Sequence, residues 1–236
     1  MPQAAGTPTV KPFSWSWSKL KNYRTCPKRH YEIDIAKHYR DADSDALKWG
    51  NQVHDAMAKY IGQGIELPTI MKRYKAWPEN VVKLSQVGMD VRVEQSLAIA
   101  KDFGPCSYYA GEAWFRAKID VLAMTPKKEA AITIDWKTGS KVQPEFEQLA
   151  LSAQTVFAHF PTVEEVVAYY VWFGHDTHTV ETYHRDDMVK IWNALWPEIN
   201  VMDDAWRTTT YPAKPSGLCI NYCPVTNCPF YGKGSR

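Results

Sequence analysis

Two neighbouring segments alternate in hydrophobicity with a period of two, and a five-residue turn separates them. In residues 112–124, Trp114, Arg116, Lys118 and Asp120 fall on one face while Phe115, Ala117, Ile119 and Val121 fall on the other. In residues 130–137, Ile132, Ile134 and Trp136 oppose Thr133, Asp135 and Lys137. The intervening Thr125-Pro126-Lys127-Lys128-Glu129 is hairpin-like, so the two segments are expected to pair antiparallel and bring Asp120, Asp135 and Lys137 to one patch. Whatever the rest of the chain does, it must accommodate a sheet with this hairpin in it.

The flanking pattern is mostly helical. Ser16 or Ser18 can cap a helix through Tyr23, interrupted by Pro27. Residues 44–61 place Leu47, Gly50, His54, Met57 and Ile61 on one stripe, which turns His54 inward. A second helix is expected over 78–90, then a strand over 91–100 with Glu94 inside it. Beyond the hairpin come a helix over 144–160 with the stripe Phe146, Leu149, Ala153, Phe157 and Phe160, and strands over 166–173 and 178–184. A long helix from Asp186 or Asp187 to Trp206 buries Met188, Ile191, Leu195, Ile199 and Met202. The expected fold class is therefore α/β, a mixed sheet flanked by helices. At 236 residues the chain has room for one large domain that buries about 70% of its unfolded surface.

A chain of that size does not need cysteines to hold it together, yet Cys26, Cys106, Cys219, Cys223 and Cys228 are present, three of them within ten residues. No apolar run resembles a signal peptide or approaches the roughly 20 residues of a membrane span, so a cytoplasmic protein without a membrane partner is expected. In a reducing compartment the spacing reads as metal or cluster ligation, with Cys106 the spare thiol. Net charge is only +2, but residues 11–40 carry eight basic side chains against two acidic ones, interleaved with Trp15, Trp17, Tyr23, Tyr31 and Tyr39. That mixture suits a phosphate backbone with unstacked bases. It equally suits a solvated helix face whose aromatics are core.

Asp135 and Lys137 leave the same face of a strand about 6.5–7 Å apart at the backbone. A carboxylate there can hold a divalent cation while the ammonium orients or deprotonates a water, and Asp120 supplies the second carboxylate that a hard oxygen site needs. An exposed ion pair is the alternative for the tripeptide taken alone.

The ordered set goes further. Ser-Trp-Ser-Lys-Leu-Lys-Asn-Tyr-Arg-Thr-Cys-Pro-Lys-Arg at 16–29, Gly50-Asn51-Gln52-Val53-His54, Glu94, Lys118-Ile119-Asp120, Ile134-Asp135-Trp136-Lys137-Thr138-Gly139 and Gln148-Leu149-Ala150 occur in sequence. This series resembles the RecB-like nucleases of the PD-(D/E)XK superfamily, above all the exonucleases of phages and of CRISPR adaptation and the nuclease domain of AddB-type helicase–nucleases. The resemblance spans about residues 14 to 230. It implies a restriction-endonuclease-like core with a helical, cysteine-clamped lobe: a flexible N-terminus over 1–12, then one nuclease domain over 13–236. Within that domain the core would cover about 91–184, a helical insertion about 41–90 and a C-terminal cysteine segment 208–236.

The resemblance also implies roles. His54, Asp120, Asp135 and the Trp136 carbonyl would bind Mg²⁺ or Mn²⁺, and Lys137 would activate the attacking water. Glu94 would be a supporting acid, and Gln148 would orient Lys137 or contact a phosphate. Ala117 and Ser152 stand where the family commonly has Gly and Tyr. Cys26 with Cys219, Cys223 and Cys228 would hold a [4Fe–4S] cluster, with structural Zn²⁺ as the alternative for four thiolates. The implied activity is a metal-dependent deoxyribonuclease, foremost an exonuclease, acting on single-stranded DNA or duplex ends in recombination, repair or replication. A recombination or replication protein would be its partner, in the host cytoplasm if phage-encoded. The competing readings are a non-catalytic nucleic-acid-binding adaptor of the same fold and an electron-transfer iron–sulfur protein. Both leave the Asp/Lys face without a task.

Overall fold

The computed structural model of this chain describes residues 12–233. Apart from Pro12, the flexible N-terminus expected over 1–12 lies outside the described residues, as does Lys11. The N-terminal helix α1 (Trp17–Thr25) starts at Ser16, whose hydroxyl accepts from the Lys19 amide, and stops at Cys26. Pro27 then occupies the first position of α2 (Pro27–His30), which runs into a π-helical turn, Tyr31–Ile35. Helix α3 (Asp45–Gln63) is capped by Ser44 and closed by Gly64 in the left-handed conformation. A 3₁₀ turn (Thr69–Tyr74) leads to α4 (Ala76–Gln86).

The remaining elements are β1 (Asp90–Ile99), β2 (Pro105–Cys106), β3 (Phe115–Met124), β4 (Ala130–Lys137), α5 (Phe146–His159), β5 (Glu165–Trp172), β6 (Thr177–His184), α6 (Met188–Thr208) and α7 (Leu218–Asn221). The strands form one six-stranded sheet in the order β2-β1-β3-β4-β5-β6. Only β4 and β5 run parallel, with α5 as the crossover between them. The sheet is therefore mixed and flanked by helices, as expected for a PD-(D/E)XK fold.

Each face is covered by a different set of helices. Val53, Met57, Met71 and Val81 from the α3–α4 region pack on Val121, Ile134 and Trp136. On the opposite face, Ala153, Val156 and Phe157 of α5 pack on Ile119, Leu122, Met124 and Ala131. A third cluster joins Trp15, Trp114, Phe115, Trp192 and Ile199, fastening α6 and the N-terminal segment to the sheet.

Several expected details change. Leu47 is 50% exposed and Phe146 45% exposed, while α3 buries Val53, Ala56 and Met57 and α6 buries Trp192 between Met188 and Leu195. The helix expected to reach residue 90 ends at Gln86, because Gly88 takes φ +89° and turns the chain into β1.

The larger departure concerns which residues share a face. Val121 does not sit with Phe115, Ala117 and Ile119: it faces the α3 side, whereas Ile119, Leu122 and Met124 face α5. Along β1, Val91 and Val93 face the α3 side, while Leu97 packs on the α5 side. Both alternations reverse where the ladder is interrupted, between the pairs Val93↔Val121 and Gln95↔Ile119. Glu94 sits in this gap at φ +51°, a strained conformation for a residue with a Cβ.

Candidate active site

Strands β3 and β4 pair only from Met124↔Ala131 to Val121↔Ile134. Beyond that they separate, β4 continuing beside β5 through the Asp135↔Tyr170 and Lys137↔Trp172 pairs. The edge of β3 that β4 leaves is taken by the N-terminal segment. There Trp15 N–H donates to Trp114 O at 2.9 Å, and Arg116 N–H donates to Trp15 O at 3.0 Å. Asp120 and Asp135 are the first residues past the last β3–β4 pair, so two carboxylates stand at the crotch of a fork.

The fork leaves backbone donors that no strand satisfies, and buried donors must find partners. Trp136 N–H donates to Asp120 Oδ2 at 2.8 Å. A carboxylate acceptor makes this stronger than a neutral pair, about 1.5–3 kcal/mol. Asp120 Oδ1 meets His54 Nδ1 at 3.2 Å, reaching across from α3. Helix α3 can approach because residue 50 is glycine: a Cβ there would lie 3.2 Å from Thr138 Oγ1 in the loop after β4. His54 follows one turn later.

Glu94 joins the same group. One ligand atom each from His54, Glu94 and Asp120 lie within 4.8 Å of one another. The φ +51° at Glu94, directly across from Asp120, belongs to the same break in the ladder. Strain of this kind persists only when the surroundings hold it in place.

Asp135 faces another set of partners. Its Oδ2 lies 2.8 Å from Lys137 Nζ, and its Oδ1 accepts from Gln148 Nε2 at 2.7 Å. Lys137 Nζ in turn donates to Gln148 Oε1 at 3.2 Å. The structure thus brings His54, Glu94, Asp120, Asp135, Lys137 and Gln148 together as two linked sets around the crotch.

Tyr170 was not anticipated. Its hydroxyl contacts Gln148 Oε1 at 3.0 Å and Glu145 O at 2.9 Å, and Lys137 Nζ lies 4.6 Å from its ring centroid. Ser152, standing where a Tyr is common, instead donates to the Gln148 carbonyl at 3.1 Å. A phenol therefore reaches Gln148 from β5 rather than from α5. Its local sequence, Val166 to Trp172, reads as a buried apolar strand, and only the β4–β5 register reveals the juxtaposition.

Burial and the neighbouring carboxylates set the electrostatics of the site. Burial, reinforced by the Asp120 charge, pushes the Asp135 carboxyl up to about 6 even though Lys137 opposes the shift. Burial and Asp120 also raise Glu94. Burial lowers the His54 imidazole, but Asp120, Asp135 and Glu94 together outweigh it and leave the pKa raised. Crowded carboxylates that resist ionisation, in a partly buried cleft, are what a cation would relieve.

The cysteines form a second assembly. Cys26, Cys219, Cys223 and Cys228 line one small cavity between α2 and the C-terminal segment, while Cys106 lies apart in β2. The Lys214 amide donates to Cys26 Sγ at 3.3 Å and the Ser216 amide to Cys219 Sγ at 3.4 Å. No three of these sulfurs, among the described residues, lie mutually within 4.8 Å.

A family model for the PD-(D/E)XK nuclease superfamily matches residues 14–228. No curated protein matches the chain. Among solved structures, a candidate exonuclease from Eubacterium rectale aligns with 94% of this chain and 89% of its own at 12% identity and a TM-score of 0.48. A protein designated SSO0001 aligns over 92% and 87% at 14% identity and a TM-score of 0.43. No helix among the described residues is long and apolar enough to cross a membrane.

Proposed function

Because the chain belongs to the PD-(D/E)XK nuclease superfamily, we propose that it is a metal-dependent deoxyribonuclease, foremost an exonuclease, serving recombination, repair or replication. The observation that carries this reading is the fork: Asp120, Asp135 and Lys137 at its crotch, with His54 and Glu94 against Asp120. One nuclease unit over 13–236 is the matching domain reading, with its core at about 91–184, the helical insertion at 41–90 and the cysteine segment at 208–236.

The donor set fits a hard divalent cation. Carboxylate oxygens and one imidazole in a partly buried cleft suit Mg²⁺ or Mn²⁺. His54, Asp120, Asp135 and the Trp136 carbonyl would hold the ion, and Glu94 is close enough to join them. When bound, it would supply Lewis-acid polarisation of the scissile phosphate and a more acidic water. The chain's own residues do the positioning. Lys137 presents its ammonium to the attacking water, while Gln148 and Tyr170 fix that ammonium in place. Asp135 stays paired to both Lys137 and Gln148, which keeps the ammonium beside the fork. DNA would be the substrate, single-stranded or as duplex ends, and a recombination or replication protein the partner.

For Cys26, Cys219, Cys223 and Cys228 we favour a [4Fe–4S] cluster over zinc. They line one cavity, and backbone N–H groups on two of the sulfurs favour thiolates. Four thiolates suit either group, and the resemblance to the iron–sulfur members of the family is what favours the cluster. Iron and zinc analysis of anaerobically purified protein, with its visible spectrum, decides between them.

The activity is tested with end-labelled linear and circular DNA, single- and double-stranded, in Mg²⁺ or Mn²⁺. Wild type should degrade linear DNA and spare circles, and Asp135→Ala and Lys137→Ala should cleave at least about 10²-fold more slowly. Equal degradation by all three proteins would overturn the assignment, and DNA binding without metal-dependent cleavage would favour the adaptor reading.

A further inference from the structure

The N-terminal basic stretch is largely committed to internal ion pairs. Lys21 pairs with Glu145, Arg24 with Glu147 and Glu198, Lys28 with Glu32, and Arg29 with Asp41. Its aromatics are packed as well: Trp15 is fully buried, and Tyr31 stacks on Tyr211. Lys19 and Lys37 are different. Among the described residues neither has a carboxylate oxygen within 4.0 Å, and the only hydrogen bond of the Lys19 ammonium goes to Ser14 O at 3.2 Å.

Both lysines line a cavity of about 460 Å³, and Arg116 completes its positive wall. The Arg116 guanidinium is anchored by neutral oxygens alone, Tyr108 O at 2.6 Å, Ala110 O at 3.2 Å and the Ser14 hydroxyl. Its charge is therefore held in place without being compensated. One carboxylate, Asp34, shares the cavity, but Asn22 and His30 hold it at 2.9 and 2.8 Å. Burial, with Arg116 and Lys37 adding to it against Asp34, pulls the Lys19 ammonium below its ordinary pKa. Three cations and one carboxylate around open space leave the cavity with a net positive charge.

The cavity also adjoins the fork. A second one of about 490 Å³, lined by Lys118, Lys137 and Gln148, shares Arg116 with it. Arg116 is four residues from Asp120 on β3, about 13 Å along the strand. With one phosphate per about 3.4 Å of a stacked strand, that distance corresponds to a few nucleotides. Tyr109 stands at the cavity, 87% exposed, with a ring face open to a base.

We propose that the Lys19–Lys37–Arg116 cavity binds a phosphate group of the substrate strand a few nucleotides from the bond being cut. The inference rests on the nuclease reading for the identity of the strand, while the cavity itself is read from charge and geometry. The phosphate is either internal to the strand or a terminal one.

The test is fluorescence anisotropy of a short labelled DNA strand, titrated in EDTA at several salt concentrations, with a 5′-hydroxyl in one arm and a 5′-phosphate in the other. The cavity neutralises one phosphate, so Lys19→Gln/Lys37→Gln should flatten the plot of log K against log salt by about 0.7. The control Lys127→Gln/Lys128→Gln removes the same charge from the exposed turn at the opposite end of β3, and its slope should match wild type. Loss in both arms identifies an internal phosphate; loss only with the 5′-phosphate identifies a terminal one. A wild-type slope in both arms, or equal loss in the control, would overturn the proposal. Should the double variant melt early, Lys37→Gln alone, at an exposed position, should flatten the slope in the same direction by roughly half as much. The two readings fail separately, since cleavage by Asp135→Ala tests the fork and the EDTA titration tests the cavity.

Discussion

Replacing Asp135 by Asn should stabilise the metal-free protein while removing its activity. The Asp135 carboxyl rises from 3.8 to about 6, and two pKa units correspond to about 3 kcal/mol lost when the folded protein must ionise it. Two terms reduce that gain. The side chain is 21% exposed and keeps some water. Asn also brings one NH₂ against either Lys137 Nζ or Gln148 Nε2, a donor–donor contact costing about 1–2 kcal/mol. About 1–2 kcal/mol should remain, which for a chain of this size raises Tm by about 3–6 °C.

The sign depends on pH. Because burial and Asp120 raise the folded pKa above the unfolded value, the protonated carboxyl favours folding below about 3.8, and that contribution is lost as pH rises through about 6. Thermal melts in EDTA should therefore show Asp135→Asn clearly above wild type at pH 7.5, with the margin shrinking toward pH 4. Adding Mg²⁺ should raise the wild-type Tm and leave the variant nearly unmoved. A variant that melts below wild type at pH 7.5 in EDTA, or whose margin ignores pH, would refute the reasoning that crowded carboxylates destabilise the fork.

Other substitutions probe separate parts of the site. Lys137→Ala should lower metal-dependent cleavage about 10²–10⁴-fold with little change in DNA binding, measured by single-turnover kinetics against anisotropy. Tyr170→Phe keeps the ring beside Lys137 and removes one hydrogen bond to Gln148, so kcat should fall about three- to tenfold; an unchanged kcat would make the phenol a packing group. His54→Ala should weaken Mn²⁺ binding, read by calorimetry at pH 7.5, and raise the metal needed for half-maximal cleavage. Cys26→Ser should abolish the visible absorption expected of a cluster and expose the C-terminal segment to limited proteolysis, because Cys26 and Lys214 join the two chain ends.

Local signals located most of the elements. The 112–124 and 130–137 alternations became β3 and β4, the second with unchanged bounds, and Ser16 caps α1 as its position before the helix suggested. Long-range consequences escaped. Nothing near Glu94 announces φ +51°, since that strain is held by the break opposite Asp120. Tyr170 looked like core because its partner lies 35 positions away in the β4–β5 register. Leu47 looked buried because a helical stripe gives direction but not the length over which a neighbour covers it.

Residue chemistry and spacing were enough to nominate Asp120, Asp135 and Lys137, because a two-residue repeat and a hairpin bring side chains together with few alternatives, whereas the roles of His54 and the four-cysteine set came from the family resemblance. Which of them touch was decided by the fold. Strands β3 and β4 part after one short ladder, and that parting frees the Trp136 amide for Asp120 and opens the space that His54 and Glu94 enter. It also turns Asp135 toward Lys137, Gln148 and Tyr170. A strand pair that stayed zipped would have carried the same residues with their backbone donors satisfied and no cleft between them. Separating two strands requires other groups to take the freed edges, here Trp15 on β3 and the Asp120 carboxylate on the Trp136 amide of β4, and pairings across such distances are invisible to local pattern.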